Sequence, residues 1–279
     1  MTMPLDLVLI RHGESEGNLA NSWSRQGDNR AFTPEYRSRP SSEWRLTTLG
    51  RQQTGIAGEW IRVNIGGDFA RIFVSSYVRA EETAYHLGLT GPMHSEPYLR
   101  ERDYGILELA TQEELAGIFA KEMARRTRDP FYWNPSHGES MPQVCLRVDR
   151  VIDTMHRELS KDRVAVVCHG EVMRAFQVRL ERWTDVDFGR ITQSRDPKLR
   201  INNTQIIHYT RKNPADPTDV REHLAWVRSV CPWDLERSDN QWREVSRRKL
   251  TREAIAARLA TTPQLVDRPG ASGPGAEIG

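Results

Sequence analysis

The chain has 279 residues, of which 38% are hydrophobic and 28% charged, with a formal net charge of +2. That length can bury the core of one large α/β domain with decorations. The near-balanced charge gives no footing for nucleic acid as the main partner, and no stretch nears the roughly 20 apolar residues of a membrane span.

Residues 5–10 (LDLVLI) form a short aliphatic run, which predicts a strand buried on both faces of a parallel sheet. Because this strand starts so near the first residue, no signal peptide is expected and a cytoplasmic protein follows. The strand leads into Arg11-His12-Gly13-Glu14-Ser15, where Gly13 permits a sharp turn, and residues 14–20 have helical character. Residues 23–45 are polar, rich in Ser and Arg, and interrupted by Pro34 and Pro40. A loop insertion of that length serves either as a rim or lid over a site or as a mobile surface excursion.

A helix is predicted at 48–65, a strand at 71–75, a helix at about 79–87, a charged loop at 98–105, a helix at 113–126 and an aromatic turn at 131–137. Gly138-Glu139-Ser140 opens a helix whose Val144, Val148, Val151, Ile152 and Met155 make a core-facing stripe. Residues 164–168 form a second aliphatic strand, ending in His169-Gly170 and followed by a helix at 171–181. Residues 203–209 and 223–228 read as an antiparallel hairpin turning at 213–219, residues 243–259 as a basic helix and 269–279 as a disordered tail. The expected division is an α/β domain at 1–230, a helical extension at 231–267 and a tail at 268–279. The basic helix packs on the domain, covers a sheet edge or meets a second copy, so a homodimer stays open.

Two strands that each end in a histidine can lay two imidazoles side by side, in the crevice beyond the carboxyl ends of a parallel sheet. A neutral histidine held in one tautomer can attack phosphorus, and a second, when protonated, can stabilise the charge that develops on oxygen. Arginine forks grip two phosphoryl oxygens at once, and Arg11 and Arg79 stand nearest the strand exits. A carboxyl group with a raised pKa can give the leaving oxygen its proton and later take one from water. Glu101 is the candidate, with Glu108, Glu113 and Glu139 in neighbouring segments. Arginine outnumbers lysine 35 to 5, a bias ascribed to coding composition, so few arginines are assigned chemistry. Three cysteines, Cys145, Cys168 and Cys231, lack metal-ligand spacing and read as reduced, with Cys168 a small core residue. The other six histidines read as structural.

Several blocks stand together in order: residues 9–15 with Asn18, Leu46-Thr47 with Leu49-Gly50 and Gln53, Ser75 with Arg79-Ala80 and Thr83-Ala84, Leu99 with Glu101-Arg102 and Tyr104-Gly105, Gly138-Glu139-Ser140, and His169-Gly170. As a set they resemble the histidine phosphatase superfamily, in its phosphoglycerate mutase-like branch. The resemblance implies a three-layer α/β sandwich with a mostly parallel central sheet flanked by helices. It implies that His12 is transiently phosphorylated, that Arg11, Asn18, Arg79, His169 and Gly170 hold the phosphate, and that Glu101 is the general acid and base. No metal or cofactor is called for, and the partner is a small phosphorylated substrate. The segment between Arg126 and Gly138 is shorter than the mutase pattern, which favours phosphomonoester hydrolysis. A bisphosphate-primed phosphoglycerate mutase and a non-catalytic phosphate-binding regulatory protein are the alternatives.

Overall fold

A computed structural model describes residues 2–247 and 249–266. The elements run β1 (Asp6–Arg11), α1 (Glu16–Arg25), α2 (Pro34–Ser38), α3 (Thr48–Asn64), β2 (Arg71–Val74), α4 (Val78–Leu87), β3 (Met93–Ser95), α5 (Gln112–Ala116), α6 (Ala120–Arg128), α7 (Met141–Glu158), β4 (Arg163–Cys168), α8 (Gly170–Glu181), α9 (Asp185–Thr192), β5 (Ile206–Thr210), β6 (Lys212–Asn213), β7 (Asp216–Val220), β8 (Trp226–Val230), β9 (Arg243–Glu244) and α10 (Arg252–Thr261). The main sheet has the order β3-β2-β4-β1-β5-β8-β9. β3, β2, β4 and β1 pair in parallel, while β5 runs against β1 and β8 against β5.

Both faces of the sheet are apolar because successive side chains of each central strand point to opposite sides. Leu7 and Leu9 of β1 and Val164, Val166 and Cys168 of β4 pack with Val144, Val148 and Met155 of α7 and Phe176 of α8. Val8, Ile10, Ala165 and Val167 face the other way, onto Ala57 and Ile61 of α3 and Ala80 and Ala84 of α4. The sheet thus forms the middle of a three-layer sandwich, and the carboxyl ends of β1, β2 and β4 open on one edge of it.

Several expected elements take a different form. Residues 23–45 are not a structureless loop: α1 extends to Arg25, α2 and a 3-10 turn at Ser41–Glu43 follow, and Tyr36 stacks on Trp44 at 5.1 Å. The helix expected at 113–126 is broken at Gly117, between α5 and α6. The expected turn at 213–219 is itself a two-stranded ribbon of β6 and β7, with Pro217 on an exposed strand where no ladder bond is lost. Arg243 and Glu244 are not helical. They pair with Val227 and Trp226, and Arg243 reaches the buried Glu181 carboxylate at 2.7 Å. The sheet therefore draws the chain past 230, and the first compact unit ends at Ser246. The second holds α10, with Thr251 as its N-cap. The tail expected at 268–279 lies outside the described residues.

One close approach sets the chain path behind the first strand. A Cβ on Gly50 would stand 2.1 Å from the Glu14 carbonyl oxygen, and one on Gly13 2.4 Å from the Gly50 carbonyl oxygen. Only glycine lets α3 meet this turn backbone to backbone. Gly50→Ala is expected to lower unfolding free energy by about 3 kcal/mol. Gly55, exposed on the same helix with nothing within 4 Å of an added Cβ, should gain up to about 1 kcal/mol on conversion to Ala. Urea denaturation of both variants checks the pair.

Candidate active site

Arg11 pairs with Cys168 across the β1–β4 ladder, and the His12 N–H donates to the Cys168 carbonyl at 3.0 Å. His12 and His169 consequently leave two adjoining parallel strands at the same level. Their rings are buried, with centroids 5.1 Å apart and planes at 61°.

Two contacts place the proton on His12. Nδ1 donates to the Gly13 carbonyl oxygen at 2.7 Å, because that oxygen can only accept. The Arg79 Nε–H donates to Nε2 at 3.3 Å, and a guanidinium has no lone pair to offer in return. The ring is therefore neutral, with its lone pair on Nε2. Burial first, and then the charges of Arg79 and Arg11, hold the ring well below the ordinary pKa of 6.5.

His169 is supported from β2. Its Nε2 lies 2.8 Å from Ser75 Oγ, which accepts the Tyr77 N–H at 3.4 Å. Its Nδ1 is buried and has no hydrogen-bond partner among the described residues. Burial, then Arg79 and His12, hold this ring well below 6.5 as well. A neutral His169 that accepts the Ser75 hydroxyl at Nε2 carries its hydrogen on Nδ1, the unpartnered atom.

Arg11 donates through Nη1 to the Ile201 carbonyl at 2.8 Å, whereas its buried Nε has no partner among the described residues. Its Nε lies 3.6 Å from where a Cβ on Gly170 would be. Gly170 begins α8, whose N-cap position, His169, supplies no side-chain cap. The first-turn N–H groups thus remain open to an anion beside both histidines. Arg79 donates its Nη1 to the Ser41 carbonyl at 2.6 Å and lies over the Tyr77 ring at 4.8 Å.

Asn18 sits one contact further out. Its Oδ1 accepts from Ser15 in the capping box of α1 and from Asn203 Nδ2 at 2.9 Å, and Asn203 Nδ2 also reaches the His12 carbonyl at 3.2 Å. Its own amide nitrogen is the end left to donate. Glu101 accepts the Arg102 N–H on Oε1 at 2.9 Å. Burial first and the nearby Glu171 second raise its pKa, against the pull of the Arg102 N–H, Arg79 and Arg11. Its segment is held by Arg147, which donates to the carbonyls of Tyr98 and Glu101 and forms a 2.9 Å ion pair with Glu139.

Sequence reasoning missed Asn203, Glu171 and the Ser41 carbonyl. Glu171 was within reach, since it directly follows His169-Gly170. Asn203 was not, because it comes to His12 only through the pairing of β5 with β1. A cavity of about 270 Å³ is lined in part by Arg102, Arg126, Glu171 and Phe188, and by none of His12, Arg11, Arg79, Glu101 or His169. Among the described residues no group of three or more His, Cys, Asp or Glu side chains could hold a metal ion, and no helix is long and apolar enough to cross a membrane.

Paired imidazoles and guanidinium groups at the mouth of a doubly covered parallel sheet define an α/β enzyme that handles phosphoryl groups. Comparison with known sequences narrows this. The profile of the histidine phosphatase superfamily (branch 1) matches residues 7–213, and the chain belongs to that superfamily. It is 30% identical over 171 residues to 6-phosphofructo-2-kinase/fructose-2,6-bisphosphatase of Gallus gallus, a match covering 61% of this chain and 32% of that one. The chain thus spans about a third of the length of that relative. It is also 30% identical over 186 residues to 2,3-bisphosphoglycerate-dependent phosphoglycerate mutase of Methylobacterium radiotolerans, covering 64% of this chain and 80% of that one. Among solved structures, mycobacterial glucosyl-3-phosphoglycerate phosphatase superposes with a TM-score of 0.56 at 19% identity, over 80% of this chain and 96% of that one. That likeness supports the fold.

The neutral histidines carry a pH signature. Both pKa values are lowered in the folded protein, so the unfolded chain binds more protons as pH falls below about 6.5. Stability is fully present above that pH and is lost on acidification toward the folded values. The unfolding free energy from urea titrations is expected to fall as pH drops below about 6.5, by up to about 1.4 kcal/mol per pH unit for each ring. Replacing both rings, as His12→Asn with His169→Asn, should reduce that slope, leaving the share of the buried His208, which is also lowered.

Proposed function

We propose that this chain is a metal-independent phosphomonoesterase that works through a phosphohistidine at His12 on a small phosphorylated metabolite. The observation that carries the reading is the lone pair on His12 Nε2, met by the Arg79 Nε–H at 3.3 Å, beside two buried nitrogens with no partner among the described residues, Arg11 Nε and His169 Nδ1, the latter a donor when Ser75 donates to Nε2. Buried donors of this kind are costly unless a ligand accepts from them. A phosphoryl group has the oxygens to do so.

In the first half of the reaction Nε2 bonds to phosphorus as the ester P–O bond breaks, and Glu101 gives its proton to the leaving oxygen. In the second half the Glu101 carboxylate takes a proton from water, whose oxygen displaces Nε2 from phosphorus. Arg11, Arg79, His169 and the start of α8 hold the remaining oxygens throughout, with Asn18 at the edge.

The reading is tested with alkyl and aryl phosphates. His12→Ala is expected to lower kcat/KM at least about a thousandfold and to abolish labelling of the chain by phosphate in an acid-quenched reaction. Chelator should leave the rate unchanged. Hydrolysis that survived His12→Ala would remove the mechanism. The similarity to a phosphoglycerate mutase over 80% of that relative favours a second reading, isomerisation of 3-phosphoglycerate. Product formation that depends on added 2,3-bisphosphoglycerate would promote it.

Substrate choice is assigned to the strap over the site. The Ser41 carbonyl accepts from Arg79, the Ser41 hydroxyl bonds the Glu108 carboxyl, and Arg37 pairs with Glu114 at 3.1 Å. The strap is thus tied to a phosphate-holding arginine and to the segment after Glu101. Replacing residues 34–40 by a short Gly/Ser link should change relative kcat/KM among several phosphate esters about tenfold or more. Unchanged ratios would show that the strap has no part in selection.

A further inference from the structure

The carboxylate of Glu171 has no task in the chemistry above. It stands in the first turn of α8 and accepts from Arg102 Nη1 at 3.4 Å, with its side chain 25% exposed. Arg102 is immobilised: its Nε donates to the Glu139 carbonyl at 2.8 Å, its Nη2 to the Trp133 carbonyl at 2.8 Å, and its guanidinium lies 5.3 Å from the centre of the Trp133 ring. The backbone N–H of this same residue donates to Glu101 Oε1 at 2.9 Å. One clamped arginine therefore holds two carboxyl groups, Glu101 by its backbone and Glu171 by its side chain.

We propose that Glu171 is a positioning residue for Glu101: the shared Arg102 fixes where the two carboxyl groups stand, and the negative charge of Glu171 keeps the proton on Glu101 until the ester oxygen takes it. The inference rests on the phosphomonoesterase reading. Around Glu101 stand Arg11 from β1, Tyr77 just before α4 and Arg79 within it, Cys168 from β4, Arg147 from α7, Tyr104 and Arg102 from its own segment, and Glu171 from α8. Arg147 is already paired with Glu139, and Arg102 touches Glu171 itself. Arg11 and Arg79 favour the carboxylate, and Glu171 is the acid among these groups that opposes them. When the ester P–O bond breaks, the Glu101 proton goes to the leaving oxygen. The new carboxylate then has the same like-charged neighbour, which strengthens it as the base that takes a proton from the attacking water. Burial and Glu171 both raise the Glu101 pKa, in keeping with this role.

The test uses the full chain. Titration of the Glu101 carboxyl is followed by infrared difference spectroscopy, with Glu171 present or replaced as Glu171→Gln, each read against the same chain carrying Glu101→Gln. The midpoint is expected to fall by about one pH unit on Glu171→Gln and to return with Glu171→Asp. In kinetics, the general acid is active below its pKa, so the alkaline limb of kcat/KM for glycerol phosphate should move to lower pH by the same amount. At pH 8 kcat should drop about tenfold with little change in KM. For p-nitrophenyl phosphate, whose leaving group departs without a proton, the limb should move less. An unmoved Glu101 midpoint, or a loss of rate equal at every pH, would overturn the proposal. Absence of His12-dependent hydrolysis in the unmodified chain would instead overturn the phosphomonoesterase reading, while the titration still decides the role of Glu171.

Discussion

The pairing register of β1 on β4 is the constraint on which the site depends. Leu7 lies opposite Val164 and Arg11 opposite Cys168, so the two strands end together and the residues that follow them emerge at one level. Side chains alternate along a strand, and a slip of one residue would send Leu7 and Leu9 to the wrong face of the sheet. Two separate hydrophobic layers resist that slip, because alternate residues of both strands are buried on opposite sides. The geometry of the imidazoles is thus enforced by aliphatic packing. No contact between the rings has to do it.

The same burial sets the electrical state of the site. Neutral histidines beside two guanidinium groups avoid adding positive charge where solvent is excluded, which is why both rings lose their protons. The cost of burying Arg11 and Arg79 is offset in part by neighbouring acids: by Glu101 when it is ionised, and otherwise by Glu171 for Arg11 and Glu108 for Arg79. A dianionic phosphoryl group would complete this balance. It would bring the charge that the arginines lack and accept the buried Arg11 Nε–H, together with the His169 Nδ1–H of the tautomer in which Ser75 donates to Nε2. The N-terminus of α8 adds a further partial positive charge in the same place.

Much of this was legible in the chain. The strands carrying His12 and His169 are recognisable because central parallel strands are aliphatic on both faces, and the helices after them because their apolar positions repeat with the helical period. The segments that were misread share a physical cause: their order comes from distant partners. Residues 23–45 have little periodicity of their own and gain order from Arg79, Glu108 and Glu114, far along the sequence. Arg243 and Glu244 suit a helix by propensity, yet pair with β8 and meet Glu181. Tertiary pairing overrides weak local preference at such sites. Within the site, Glu101 was the hardest to single out, since neighbouring acids look alike in sequence. What distinguishes it is its place: Glu139 is taken up by Arg147 and Glu108 by Ser41, while Glu101 stands among the arginines of the site.

Groups that hold a phosphate recognise what every phosphate ester shares, so they cannot choose among alcohols. The groups proposed for that task here lie at the ends of β1 and β4 and at the starts of α1, α4 and α8, beside the sheet. The segments beside them differ in kind: α2 with its 3-10 turn, and the stretch around α5 and α6, are short elements joined by the exposed Arg37–Glu114 ion pair and the Ser41–Glu108 hydrogen bond. The link between the two regions, from Arg79 to Ser41, uses a backbone carbonyl. Substitution at Ser41 therefore leaves the acceptor in place, and neighbouring side chains such as Tyr36 can change without loosening the arginine. On the proposed reading, phosphate binding falls to side chains anchored by the sheet and substrate fit to side chains on the strap, so different parts of the chain meet the two demands.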